Sequence, residues 1–270
     1  FLRTARMGVE NMALKETFNT STRKEESMNR KITQRLCTIL LLLFFYSPLL
    51  AATYTVDDDG PADFVKIQNA IDVAGPGDTI MVEAGTYNEN ISLKSDVDVM
   101  GAGFEDTIIK GGLTSHVVYA NNVYNAVFDG FAVVDSGQTS SYAGIRINSG
   151  DLVVSNNLIA NNLSGIRITG ASSAIIKNNI VTINGFSGGY LDYGIISLHS
   201  TPLITNNIIA RNRGAGIYIG WLDSAGTRII NNTIVDNEHD GIWCYKSAPI
   251  IKNNIIAGNQ YGIAASHDPA

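Results

Sequence analysis

Beyond residue 140 the chain is a succession of three- and four-residue aliphatic runs separated by Gly, Asn or Ser, with no stretch of helical period between them. Runs of this length, rich in β-branched residues and bounded by turn formers, predict short β-strands. Paired asparagines punctuate them in wording that recurs: "NNLIANN", "NNIVTIN", "NNIIARN", "NNTIVDN" and "NNIIAGN". The second Asn of each pair falls at Asn157, Asn179, Asn207, Asn232 and Asn254, in steps of 22, 28, 25 and 22. A second column follows at a constant offset of five: Asn162, Asn184, Asn212, Asn237 and Asn259. A third is Gly-Ile, beginning at Gly144, Gly165, Gly194, Gly216, Gly241 and Gly262. Self-similarity at a period in the twenties predicts stacked repeats.

Each repeat holds three strands, as in "PLIT" from Pro202, "IIAR" from Ile208 and "GIYI" from Gly216. Three strands per turn without a helix predict an all-β fold, a parallel β-helix solenoid of about seven coils spaced about 4.8 Å apart. The leucine framework of the alternative solenoid of similar period is absent. Stacking places Ile145, Ile166, Ile195, Ile217, Ile242 and Ile263 in one internal aliphatic column. The asparagines become corner ladders, because Asn tolerates the left-handed conformation and its amide can bond backbone or the Asn of the next coil.

The N-terminal part reads differently. Residues 1–27 are polar, charged and aperiodic, and are set aside as an upstream or disordered segment. From Met28, the basic residues Arg30, Lys31 and Arg35 precede an apolar run over 36–50, and Ala51-Ala52 follow. That order predicts a secretory signal peptide over 28–52, too short for a membrane span and broken by Pro48. The protein beyond it is expected to be secreted or at the cell surface or periplasm, with no transmembrane segment. Residues 53–112 are read as an N-terminal cap and first coils. There Asp63 is expected to cap a helix "FVKIQNAIDVA", whose Ile67, Ala70, Ile71 and Ala74 share one face. The repeats proper occupy 113–270. The chain stops just after a Gly-Ile strand, so the C-terminal end is expected to be truncated, with an open edge prone to self-association.

Removing the leader changes the charge balance. The whole chain carries 19 basic and 25 acidic residues, and residues 1–52 hold 8 and 4 of these, leaving 11 and 21, a net charge of −10. Such a surface disfavours nucleic acid. Of two cysteines, Cys37 lies in the leader, so Cys244 has no disulfide partner and is expected to point inward as a small hydrophobe.

The capping helix followed by "PGDTIMVEAGTYNENI", then coils of NN-x-I with GI, resembles the right-handed parallel β-helix repeat proteins of the pectin lyase-like superfamily over about residues 54–266. The resemblance implies the fold. It leaves activity open among polysaccharide lyases, hydrolases, esterases and epimerases, NosD-like periplasmic proteins and non-catalytic surface solenoids. Asn-Thr-Asp, Gly-His-Gly, Trp-x-Asp-His, Arg-x-Pro-x-x-Arg and Asp-Pro-His, the signatures of several of these enzymes, are absent.

Loop lengths point to one face. Asn184 to Gly194 spans ten residues where three or four are usual, and "SGQTSSYA" from Ser136 lengthens the corner before Gly144. Solenoid insertions on one edge often mark a binding side. Alternation turns the residue after each Gly-Ile outward, giving the column Arg146, Arg167, Ile196, Tyr218, Trp243 and Ala264. The arginines suit carboxylates and the aromatics suit sugar rings, with Tyr142, Tyr190, Asp192 and Tyr193 supplied by the walls. The partner expected is an acidic polysaccharide. The ordinary alternative is a strand-strengthening aromatic ladder with arginines paired to nearby acids. Glu238-His239-Asp240 is read as a solvated corner and Asp57-Asp58-Asp59 as a turn. His116, His199 and His267 lack ligand spacing, so no metal or other cofactor is assigned.

Overall fold

The computed structural model describes residues 15, 19–20, 22–38, 51–139, 141–186, 192–221 and 226–266. The chain divides into two compact units, 1–50 and 51–270. In the first, residues 22–38 form one helix, across the boundary drawn between the polar segment and the leader. The stretch holds Lys, Arg, Glu, Met and Gln and neither Gly nor Pro, so helix propensity carries it, with Met28, Ile32 and Leu36 exposed along one face. Among the described residues no helix is long and apolar enough to cross a membrane. Most of the apolar run 36–50 lies outside them.

The second unit is the solenoid. Every coil runs through three strands in turn, and equivalent strands pair in parallel into sheets of nine (A), eight (B) and eight (C) strands. One coil, for example, places Leu203–Thr205 in sheet A, Ile208–Ala210 in sheet B and Ile217–Gly220 in sheet C. The eight strands of sheets B and C make one coil more than the seven expected. The extra turn belongs to the early coils, where the asparagine signature is missing.

Three inward columns fill the core. Ile145, Ile166, Ile195, Ile217 and Ile242 on sheet C are fully buried, as are Phe128, Val154, Ile176, Ile204 and Ile229 on sheet A and Val133, Ile159, Val181, Ile209 and Ile234 on sheet B. Each such side chain stabilises the fold by about 1.5–3 kcal/mol relative to exposure. Ile263, last of its column, is 54% exposed. Cys244 points inward, and burial pushes its thiol up to about 11.

The corners divide between two residues the work expected of one. The first Asn of each pair is exposed and takes the left-handed conformation, with φ of 55, 56, 56, 57 and 54° at Asn156, Asn178, Asn206, Asn231 and Asn253. The second turns inward and bonds. The backbone N–H of Asn179 and its Nδ2 both donate to Oδ1 of Asn207, at 2.9 and 3.0 Å, while Nδ2 also donates to the Val154 and Lys177 carbonyls. The pattern repeats from Asn254 down to Asn157, whose Oδ1 accepts the N–H of Phe131. A parallel ladder runs from Asn259 to Asn162, ending on the N–H of Ser136. Phe131 and Ser136 occupy the asparagine positions in the earlier coil, so that coil carries no such signature.

At the N-terminal end the short helix Ile67–Val73 packs its buried Ile67, Ala70 and Ile71 against the strands Thr53–Val56, Thr79–Val82 and Ile91–Ser92. Asp63 does not cap it. The helix starts later than expected, and the carboxylate of Glu89 accepts the N–H groups of Ile67 and Gln68 instead. Asp63 accepts from the N–H and hydroxyl of Thr55, which tie it to the first strand.

Candidate functional site

Strand register assembles the face of sheet C. Outward positions align as Ser92, Tyr119, Arg146, Arg167, Ile196, Tyr218, Trp243 and Ala264, one per coil. The column expected from alternation therefore exists, and it gains Tyr119 and Ser92 at its N-terminal end. It has two chemically distinct halves.

The first half is cationic. Arg146 and Arg167 are half-buried neighbours. Burial lowers the pKa of both, and the charge of Arg167 lowers that of Arg146 further. Among the described residues the ion pairs are Lys110–Asp135 and Arg213–Glu238, and neither involves this pair. Nε of Arg167 is buried without a hydrogen-bond partner. Beside them His116 stacks on Tyr119, centroids 5.6 Å apart, and meets Tyr142 edge-on at 5.2 Å. Its Nδ1 accepts the N–H of Ala143 at 3.1 Å, so the neutral ring carries its hydrogen on Nε2. Burial first, then the two guanidinium charges, hold His116 down to about 4. Near neutral pH the cluster is two cations and a neutral donor.

The second half is aromatic and closed. Tyr193 and Tyr218 stack at 4.9 Å with their planes 14° apart, and Trp243 meets Tyr218 edge-on at 4.9 Å. They form a small apolar cluster with Ile196 and Ala215, against which Leu198 and Tyr245 also pack. Tyr218 lies over its own strand: a Cβ on Gly220 would sit 2.8 Å from the phenol ring. Burial raises the pKa of both tyrosines. Trp243 donates through Nε1 to the hydroxyl of Ser266 at 3.2 Å.

The walls are divided in the same way. Tyr142 reaches the cationic half, its ring lying against Gly137. Asp192 is buried at the other corner, where its carbonyl accepts the N–H of Gly214. Tyr190 and His267 lie outside the described residues. The structure thus brings Arg146, Arg167 and Tyr142 together around His116 and gathers Tyr193, Tyr218 and Trp243 into a stack, with Tyr193 within electrostatic reach of Arg167.

His116 and Tyr119 belong to a coil that no Gly-Ile marks. The signal was present in "HVVYA", where Val118 and Ala120 take the inward places of Ile145 and Ile147. Elsewhere, Glu238 and His239 are exposed, and Asp240 is half-buried with a pKa raised by burial. Asp57, Asp58 and Asp59 cluster within 4.8 Å, and two of the carboxylates accept backbone N–H groups, Asp57 that of Asp59 and Asp58 that of Thr86 in the strand Gly85–Tyr87.

The fold and this face define a parallel β-helix with a cationic and aromatic outer sheet. The sequence matches the family described as right handed beta helix region over residues 91–223 and 143–269, and the chain belongs to that family. No curated protein matches it. Among solved structures, the A-module of the mannuronan C-5 epimerase AlgE4 from Azotobacter vinelandii aligns with a TM-score of 0.54 at 20% identity, covering 74% of this chain and 71% of that one. XylC in complex with xylose gives 0.58 at 14%, covering 79% and 66%. Pectin methylesterase from carrot gives 0.50 at 14%, covering 82% and 73%. At these identities the likeness is one of fold.

Proposed function

We propose that this protein binds an acidic polysaccharide on sheet C, with Arg146 and Arg167 gripping carboxylates of the chain. The observation that carries the reading is the arginine pair itself. At a strand spacing of about 4.8 Å two unit charges repel by roughly 1–3 kcal/mol, depending on the local dielectric. Among the described residues no acid lies within ion-pair distance of either arginine. Burial of an unpaired guanidinium N–H adds a further cost. A bound carboxylate relieves the repulsion through the guanidinium atoms that face solvent. The ring N–H of His116 and the hydroxyls of Tyr119 and Tyr142 supply neutral donors around it.

Structural neighbours named for mannuronan and pectin support this ligand class. Export by way of the 28–52 leader is part of the same proposal. A second reading, a non-catalytic structural solenoid, is favoured by one observation: Tyr193 and Tyr218 are buried in the aromatic stack and present little surface to a ligand.

A panel of acidic and neutral oligosaccharides separates the two. The expected outcome is binding of oligogalacturonate or oligomannuronate but not maltohexaose, with Arg167→Ala weakening it about tenfold or more. Binding should also weaken with rising salt. Equal affinity for neutral chains, or an unchanged Arg167→Ala, overturns the arginine reading, and no binding of any oligosaccharide hands the case to the structural solenoid.

A further inference from the structure

The corner from sheet C to sheet A holds a residue that neither folding nor the arginine face explains. Successive coils place Gly170, His199, Trp221 and Lys246 there, all left-handed, with φ of 75, 50, 63 and 46°. For a bulky aromatic residue that conformation is a real outlier. Trp221 is also 47% exposed, so its indole is only partly used in packing. Backbone strain and exposure of a large apolar ring at one position point from an outlier to a function.

Its surroundings define what it can hold. The indole meets Tyr245 edge-on at 4.9 Å, and the Lys246 ammonium lies over one face of its ring, 5.1 Å from the centroid. Tyr245 in turn packs against the buried Tyr193–Tyr218 cluster, which anchors this corner to sheet C.

We propose that Trp221 is a saccharide-stacking site, the exposed ring surface not covered by Lys246 taking the apolar face of a pyranose, with Tyr245 holding the indole in place. A single indole beside an ammonium and a phenol suits one sugar ring. A stable protein interface needs a far larger contiguous patch. The inference deepens the polysaccharide reading and rests on it in one respect: the sugar on Trp221 belongs to a chain that continues along sheet C.

The test uses the 270-residue chain in a Trp243→Phe background, where Trp221 is the only tryptophan. Its emission is followed on titration with hexameric oligogalacturonate, maltohexaose and phosphatidylcholine vesicles. The expected result is a saturable change with the acidic oligosaccharide, and an affinity about tenfold weaker in Trp221→Asn in the same series, read by calorimetry. Asn accepts the left-handed corner, so Trp221→Asn should melt no lower than its parent. That readout separates binding from folding.

If Trp221→Asn loses affinity while Arg167→Ala does not, the tryptophan inference stands and the arginine reading falls. If Arg167→Ala loses affinity while Trp221→Asn and the emission are unchanged, the tryptophan inference alone falls. It falls equally if no saccharide moves the emission, if only vesicles do, or if Trp221→Asn melts lower with affinity intact.

Discussion

At the scale of single residues, the two asparagines of each pair face opposite physical demands. Asn206 sits exposed at a left-handed corner that Gly also accepts, so Asn206→Gly should change stability by no more than a few tenths of a kcal/mol. Asn207 accepts both the N–H and the Nδ2 of Asn179 and donates to the carbonyls of Ile176 and Thr205. Asn207→Leu strands several buried polar groups and should cost about 2–4 kcal/mol, read by urea denaturation. Equal shifts in the two variants would show that the ladder does not hold the corner. His116 makes a pH prediction. Its folded pKa, about 4, lies below the ordinary 6.5, so protons bind the unfolded chain first as pH falls. The stability it contributes is complete above about 6.5 and is lost progressively towards 4. Asp240, pushed up by burial, acts in the opposite sense nearer the bottom of that range. His116→Gln should therefore flatten the loss of stability between pH 7 and 5, and an unchanged slope would place the histidine in water.

At the scale of strands and corners, packing and strain make separable predictions. Ile183 is a β-branched residue with φ of 54° and 52% exposure, at a corner where other coils use Asn161, Arg211 and Asp236. Ile183→Asn should raise stability by about 1 kcal/mol, measured by the denaturation midpoint, because it relieves strain and loses little packing. Gly220→Ala should cost about 1–3 kcal/mol, since the added methyl meets the Tyr218 ring. A Tyr218→Ala background should abolish that penalty, and its persistence would mean the clash lies elsewhere. This scale also shows what could be read in advance. The inward columns and the Arg146-to-Ala264 column were legible because alternation and a repeated Gly-Ile fix register coil by coil. The coil carrying Phe131 and Ser136 was not, because an unlike side chain can end a ladder by offering only its backbone N–H. The helix start was misplaced because Glu89, 22 residues downstream of Ile67, supplies the cap that Asp63 was expected to give. Closure of the aromatic half was also illegible. It depends on Tyr218 lying flat along its own strand over Gly220, which alternation alone does not specify.

At the scale of the whole molecule, a chain of net charge −6, and of −10 without its first 52 residues, carries two adjacent half-buried arginines on one sheet. Long-range attraction from the surrounding acids lessens their repulsion but satisfies no hydrogen bond. On the proposed reading the arrangement is a cost that a bound carboxylate offsets, so folding and binding should respond oppositely to one substitution. The direct measurement is the thermal stability of the parent chain and of Arg167→Gln, each with and without saturating oligogalacturonate. Gln keeps most of the side-chain reach and removes the charge. The expected result is an Arg167→Gln protein that melts at or above the parent when free and gains nothing from the ligand, whereas the parent rises by several degrees. An Arg167→Gln protein that melts well below the parent and still gains as much from the ligand would contradict the account, because the arginine would then be serving the fold and not the ligand.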